Sequence, residues 1–184
     1  MFINPQWRIL TIGDGDLSFS SSLIKKYQLD SLTATIFDNE DELFNKYGDK
    51  YYQALKQSGH QVLTSFDVLN PATWSNLPRQ KFDLIIFQFP LIPNFTNKQD
   101  YTDQCRGYSL NTLHRRLLRG YLIHCFKYFL DPQGQQIAYI SSKDVKPYNQ
   151  WNIEKAIITN TDLHFLGAMK FNIKAFPGYE IRNV

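Results

Sequence analysis

The chain of 184 residues has only two cysteines, Cys105 and Cys125, 20 positions apart and without a Cys-x-x-Cys spacing. That excludes a disulfide framework and argues against a zinc site, so no metal is expected. The longest mid-chain apolar run, Leu84-Ile85-Ile86-Phe87, falls far short of the roughly 20 residues that cross a bilayer. Met1 to Trp7 has neither the basic start nor the apolar run of a secretory signal, and a cytoplasmic location with no membrane partner is expected. Internal repeats, low-complexity tracts and linker-like stretches are missing too, so residues 1–184 are read as one domain.

What is present is enough apolar material for a core: 43% hydrophobic and 15% aromatic residues against 20% charged. The 20 Lys+Arg and 17 Asp+Glu leave a formal charge of +3, which permits an anionic partner without requiring one.

Strand-like and helix-like segments alternate. Strands are expected at Arg8 to Ile12, Leu32 to Phe37, Gln61 to Phe66, Phe82 to Phe87 and Gln136 to Ser141. Helices are expected at Leu17 to Tyr27, Glu40 to Ser58, Tyr108 to Leu130 and Tyr148 to Asn160, with a short helical piece at Pro71 to Leu77. Leu91 to Gly107 is read as a long loop overhanging the site. Leu163 to Phe171 reads as a sixth strand and Tyr179 to Asn183 as a seventh, joined without a helix. The pattern points to an α/β, Rossmann-like three-layer sandwich with a mostly parallel six- or seven-stranded sheet and an antiparallel C-terminal edge pair.

Ligands of open parallel sheets bind beyond the carboxyl ends of the strands. The first strand is followed by Gly13-Asp14-Gly15-Asp16-Leu17-Ser18, glycines that let the backbone turn sharply before a helix. Asp38 ends the second strand, where a carboxylate can accept both ribose hydroxyls, and Asp67 ends the third, where it can meet the amine of an adenine. Ser18 replaces the third glycine of a dinucleotide loop, and Asp14 and Asp16 would repel a pyrophosphate. The same acids suit the ammonium and sulfonium of S-adenosylmethionine, so this cofactor is expected on Gly13, Asp14, Gly15, Asp16, Ser18, Asp38 and Asp67. In the plainer reading Asp14 and Asp16 cap the helix, and Asp38 and Asp67 are exposed strand ends.

Gln88-Phe89-Pro90 follows the fourth strand, and these are the candidate catalytic residues: an amide can bond the edge of a planar base and an aromatic can stack on its face. Phe89 can equally be a core residue. Arg115, Arg116 and Arg119, with Lys143, Lys146, Lys170 and Lys174, offer contacts to RNA phosphates, the arginines otherwise forming a solvated helix face. The four histidines show no ligand spacing, and the sequon Asn94-Phe95-Thr96 is discounted.

Taken in order, Ile9-Leu10-Thr11-Ile12-Gly13-Asp14-Gly15-Asp16-Leu17-Ser18-Phe19-Ser20 resembles the Gly-Glu-Gly-Asp-Phe-Ser-Phe-Ser opening of the ribosomal RNA (uridine-N3) methyltransferase-like family. Lys46-Tyr47, Phe82 to Pro90, Leu117 to Tyr121, Pro147 to Ile153 and Phe176-Pro177-Gly178-Tyr179 with Arg182 resemble its later blocks. The resemblance implies a class I S-adenosylmethionine-dependent enzyme that methylates N3 of a uridine in ribosomal RNA. The chain departs from the family where Gln88-Phe89-Pro90-Leu91 stands in place of Asn-Phe-Pro-His, and where Thr11 occupies a position that is acidic in many methyltransferases. Uridine N3 carries a proton that must leave, for which Asp14, Asp16, Asp103 and His114 are the candidate bases. The alternative is a non-catalytic nucleic-acid-binding module of the same fold that has lost the acceptor site; an NAD-dependent oxidoreductase is disfavoured by the acidic glycine loop.

Overall fold

A computed structural model describes residues 2–93, 95 and 97–182, with only the backbone of residue 104. Five strands, β1 (Arg8–Ile12), β2 (Ser31–Thr35), β3 (Gln61–Leu63), β4 (Leu84–Gln88) and β5 (Ile137–Ser141), form one sheet in the order β3-β2-β1-β4-β5. Every pairing is parallel. The chain runs outward from β1 to β3 and then crosses back to β4, so the strand order reverses between β1 and β4. That is where an α/β sheet opens a crevice at its carboxyl ends.

Side-chain alternation along the strands builds two cores. Ile9, Leu84 and Ile86 face α1 (Ser18–Tyr27), α2 (Glu40–Tyr47) and α3 (Lys50–Gln57), burying Phe19, Leu23, Leu43 and Leu55. Leu10, Ile85 and Phe87 face the opposite way and meet Leu117, Leu118 and Tyr121 from the long amphipathic helix, named α5 (Leu110–His124) below. Two cores on opposite faces of one sheet make three layers. β4 is buried along its whole length, which is why its sequence is an unbroken apolar run up to Gln88.

Several expected elements differ. The helix expected over Glu40 to Ser58 is two helices: Gly48, at φ +74°, ends α2, and α3 restarts at Lys50. Leu91 to Gly107 is not all loop but contains α4 (Lys98–Cys105), capped by the Asn97 side chain on the Asp100 N–H. Ser109 caps α5 in the same way, and that helix ends in a π turn over Cys125–Phe129, closed by Leu130 N–H on the Cys125 carbonyl. Tyr148 to Asn160 is a 3₁₀ turn at Tyr148–Trp151 that Asn152, at φ +50°, interrupts.

The largest correction concerns the carboxyl terminus. The sheet has five strands, all parallel, and no antiparallel pair is formed among the described residues. Leu163 to Phe171 carries Gly167 at φ +137°, outside strand conformation, and β5 remains an edge strand of half-buried residues. Asn183, the end of the expected seventh strand, and Asn94 and Thr96 of the sequon lie outside the described residues.

The segment is instead captured by aromatic packing. Phe171 stacks on Phe176 at 5.0 Å, both lie on Phe19 of α1, and Tyr179 meets Phe19 edge-on at 5.2 Å. Lys26 lies 4.0 Å over the Phe176 ring. The result is a C-terminal strap across α1, further held by Tyr51 donating its hydroxyl to the Gly178 carbonyl at 3.0 Å. Truncating Phe176, only 4% exposed, to alanine is expected to cost about 3 kcal/mol. Urea unfolding checks this, and a loss below about 1 kcal/mol would show that the strap does not depend on that ring.

Candidate functional site

A cavity of about 640 Å³ opens at the carboxyl ends of β1, β2 and β4, within the roughly 300–1,000 Å³ usual for small-molecule sites. Its walls include the Gly13-to-Asp16 loop, Asp38, Asp67, the Gln88-to-Pro93 turn and the strap residues Tyr179 to Arg182. The site therefore joins segments that are up to 170 positions apart, Ile12 to Arg182.

The turn after β1 is held by hydrogen bonds to β2 and to the start of α1. Asp14 N–H donates to the Thr35 carbonyl at 3.0 Å, tying the loop to β2, while Thr35 Oγ1 donates to the Thr11 carbonyl. The Asp14 carboxylate turns back and accepts Ser20 N–H at 2.6 Å; Asp16 Oδ1 accepts Ser18 N–H at 3.0 Å. Leu17, at φ +66°, occupies the helix-start position without a side-chain cap of its own, so these two aspartates satisfy orphan donors of α1. The capping role is thus real, and both acids line the cavity as well.

The glycines are needed for different reasons. Gly13 sits at φ +61°, and a Cβ there would lie 3.0 Å from the Phe87 ring. Gly15 has open space around it, with nothing within 4 Å of a built Cβ.

Asp14 is 5% exposed. Burial pushes its pKa up to about 6, with the neighbouring Asp16 charge adding to the rise and the Ser20 and Phe19 hydrogen bonds opposing it. Asp16 is joined by Arg182 Nε at 2.7 Å, so the strap supplies a cation from within the chain. Asp38 takes the Lys46 ammonium at 2.7 Å on Oδ2. Asp67 Oδ1 accepts Leu69 N–H, and its carbonyl accepts the Trp74 indole N–H at 2.7 Å. Ser18 is buried and its hydroxyl accepts Glu180 N–H at 3.3 Å. Counted over the cavity walls, Asp14, Asp16, Asp38, Asp67 and Glu180 face Lys46, Arg116 and Arg182.

On the β4 side, Gln88 is buried, and its Oε1 accepts the Ser141 hydroxyl at 2.5 Å. The Tyr179 hydroxyl also meets this amide. Phe89 adopts φ +47°, a conformation costly for an aromatic residue; its half-buried ring meets Phe171 of the strap edge-on at 5.7 Å. Pro90 is buried in the cavity wall. Phe87 is core, packed on Tyr121 at 5.1 Å.

The family model described as "BMT5-like: rRNA (uridine-N3-)-methyltransferase BTM5-like" matches residues 10–183. The chain belongs to this family. Among its relatives is "Uncharacterized protein At4g26485" of Arabidopsis thaliana, 30% identical over 175 residues that cover 94% of this chain and 79% of that protein. "Heavy metal-associated isoprenylated plant protein 41" of the same plant is 27% identical over 94% of this chain, which spans 32% of that protein's length. A solved structure, lactate dehydrogenase from Eimeria maxima with NADH and oxamate, aligns at TM-score 0.40 and 14% identity, covering 86% of this chain and 41% of that one.

Two of the candidate bases lie elsewhere. Asp103 is on α4, bonded to the Gln99 amide, and does not line the cavity. His114 is stacked on Trp151 at 4.3 Å, with Nδ1 at the Leu110 carbonyl, and burial lowers its pKa. Of the arginines, Arg119 donates to the carbonyls of Ile157 and Thr159, and Arg115 to that of Gln150, so both clasp the following segment to α5. Arg116 lines the cavity, with its guanidinium 4.1 Å over the Tyr108 ring.

Sequence reasoning did not anticipate Ser141 or the Asp16–Arg182 pair. Ser141 had a usable signal, being the polar residue that ends an otherwise apolar strand; Arg182 was marked only by the motif resemblance, and nothing local pairs it with Asp16, 166 positions away.

The raised pKa of Asp14 has a signed consequence. The folded state favours its protonated form, so this group's contribution is fully present below the unfolded pKa near 3.8 and is lost as pH rises through about 6. Relative to wild type, Asp14→Asn should gain up to about 3 kcal/mol between pH 4 and pH 7. Urea titrations at both pH values check this; a difference independent of pH would show that Asp14 ionises normally.

Proposed function

We propose that the chain is an S-adenosylmethionine-dependent methyltransferase acting on a base of ribosomal RNA, uridine N3. The observation that carries this reading is the cavity itself: an acidic glycine turn on one wall and a buried amide on the other, within a chain of the rRNA (uridine-N3-)-methyltransferase-like family.

The donor set fits the cofactor. Five carboxylates against three cations favour a ligand that is cationic and free of phosphate over a dinucleotide. Asp38 would hold the ribose hydroxyls, its carboxylate oriented by Lys46. The backbone at Gly15 leaves room for close approach, and Gly13, Asp14, Asp16 and Ser18 shape the turn around the methionine part. Asp67 would take the adenine amine. When bound, the cofactor supplies an electrophilic methyl group.

What the protein's own residues do is position and deprotonate. Methyl transfer is an in-line displacement, so orientation of the acceptor nitrogen and exclusion of water carry most of the rate. Gln88 bonds the edge of the base, and Phe89 and Pro90 bound its plane. Asp14 is the base that receives the N3 proton: it lines the cavity, and a pKa of about 6 leaves it ionised yet more basic than a free carboxylate at neutral pH. Asp16 is neutralised by Arg182 and less suited. Arg116 at the rim is placed for a phosphate of the RNA.

Calorimetric titration with S-adenosylmethionine, S-adenosylhomocysteine and NAD tests the cofactor. Micromolar binding of the first two and none of NAD is expected; no binding of either would remove the enzyme reading and leave the non-catalytic RNA-binding module. Asp38→Ala should weaken cofactor binding at least about tenfold, from the loss of charged hydrogen bonds. Gln88→Ala should lower methylation of RNA more than cofactor affinity, and equal losses would separate Gln88 from the acceptor. Gly15→Ala should leave the melting temperature unchanged and weaken the cofactor, since its methyl meets nothing in the chain itself.

A further inference from the structure

His114 stands on α5 one turn past Leu110, and that spacing brings its imidazole back onto the earlier carbonyl: Nδ1 lies 2.8 Å from the Leu110 oxygen. A carbonyl can only accept, so Nδ1 carries the proton. On the other side of the ring, Ile92 N–H donates to Nε2 at 3.4 Å. A backbone N–H can only donate, so Nε2 presents its lone pair. Both contacts ask for the same neutral tautomer. The ring's face is fixed as well, stacked on the buried Trp151 at 4.3 Å with 10° between the planes. Three contacts thus hold an imidazole that does not itself line the cavity.

What the imidazole holds is a cavity wall. Ile92 belongs to the Gln88-to-Pro93 turn that follows β4 and forms one side of the cavity. Pro90 and Pro93 have no N–H, so this turn has few backbone donors with which to fasten itself. It also contains Phe89 at φ +47°, and a residue in that region keeps its conformation only where its surroundings impose it. One constraint is the contact of the Phe89 ring with Phe171 of the strap. Another, three residues on, is the imidazole of α5.

Taking the role of this wall, contact with the acceptor base, from the methyltransferase reading, we propose that neutral His114 is a positioning residue: it keeps the Gln88-to-Pro93 turn seated against α5 through Ile92, and releases the turn when the ring takes a second proton. It touches neither cofactor nor base. A second proton sets Nε2–H against Ile92 N–H, two donors face to face. Burial lowers the pKa of the ring and the Leu110 bond opposes that shift, so the ring is neutral at neutral pH and the turn is released only as pH falls below the ordinary imidazole range. The charged side chains of the surrounding elements are engaged elsewhere: Arg115 with the Gln150 carbonyl, Arg116 over Tyr108 and Lys143 over Tyr148. Asp144 and Lys146, ahead of the Tyr148–Trp151 turn, are exposed. The Gln88-to-Pro93 turn carries no ionisable side chain, and Tyr148 is the further titratable group beside Trp151.

The test follows exchange of the Ile92 amide by NMR in the full chain, beside methyl incorporation into transcribed, unmodified ribosomal RNA and calorimetric affinity for S-adenosylhomocysteine. Near neutral pH, His114→Phe keeps a ring for Trp151 but offers no acceptor. Its Ile92 exchange should quicken about fivefold, the worth of one neutral hydrogen bond. Its kcat should fall about tenfold or more, as misplacement of a reacting partner does, while the affinity for S-adenosylhomocysteine stays within about twofold. His114→Gln, whose amide oxygen reaches the place of Nε2 and does not titrate, should recover most of both losses. In wild type, Ile92 exchange corrected for its intrinsic pH dependence should quicken as the His114 ring nitrogens take up the second proton, and in His114→Gln it should not.

Unchanged Ile92 exchange in His114→Phe, equal quickening in His114→Gln, or a kcat that does not move when exchange does overturns the proposal. So does a loss of S-adenosylhomocysteine affinity as large as the loss of kcat, which would mark a general disturbance of the fold. If His114→Phe does not fold, the wild-type pH series against His114→Gln decides. Failure of wild type to bind S-adenosylhomocysteine removes the methyltransferase reading, while Ile92 exchange still decides whether His114 holds the wall.

Discussion

The turn after β1 hangs on a single buried carboxylate. Asp14 links three elements: its N–H is bonded to β2, its carboxylate caps α1, and its flanking glycines allow the chain to reverse next to Phe87 of β4. Without that turn, α1 would have no satisfied N-terminus, because Leu17 in the left-handed region caps nothing. Phe19, which receives the aromatic strap, lies in the first turn of the helix so held. The floor of the cavity and the placement of its far wall therefore depend on one group whose burial is itself unfavourable.

That cost is moderated locally rather than removed. Ser20 and Phe19 donate to Asp14, and Arg182 neutralises Asp16, the nearest like charge. Asp38 is paired with Lys46 in the same way. The cavity holds its acids close together by giving three of them partners from the chain, Asp38 from α2 and both Asp16 and Glu180 from Arg182 of the strap. Such pairs are weak where water reaches them, so ligand and ammonium or guanidinium can compete for the same carboxylate. The arrangement keeps the acidic wall folded without committing it permanently to internal partners.

The strap shows how tertiary packing overrode a local pattern. Leu163 to Phe171 has the apolar content of a strand, and the open edge of β5 is available for it. Aromatic rings bury large areas and gain from edge-on and stacked contacts, and Phe171 finds Phe176, Phe19 and Phe89 on α1 and the β4 turn. The segment ends where the Phe171 ring is packed, while Phe165, Leu166 and Met169 stay exposed. Glycine at 167 then removes the extended geometry that sheet pairing would require.

The sequence alone located the five strands that form the parallel sheet, because buried β-branched and apolar runs interrupted by helices can satisfy themselves only in a sheet covered on both faces, but it also counted a sixth and a seventh strand in an antiparallel pair that the structure does not form among the described residues. It also determined which strand ends carry polar groups, and through motif resemblance it placed the chain in its family. It did not reveal the break at Gly48 or the helix within Leu91 to Gly107, which turn on a single glycine conformation and a single asparagine cap, nor the path of residues 163–182, which depends on contacts remote in sequence. Only the tertiary structure decided which acids have a cation beside them, that Asp103 and His114 do not line the cavity, and that Gln88 lies against Ser141. The cation on Asp16 comes from 166 positions away and the hydroxyl on the Gln88 amide from 53, and no local pattern encodes a distance of that kind.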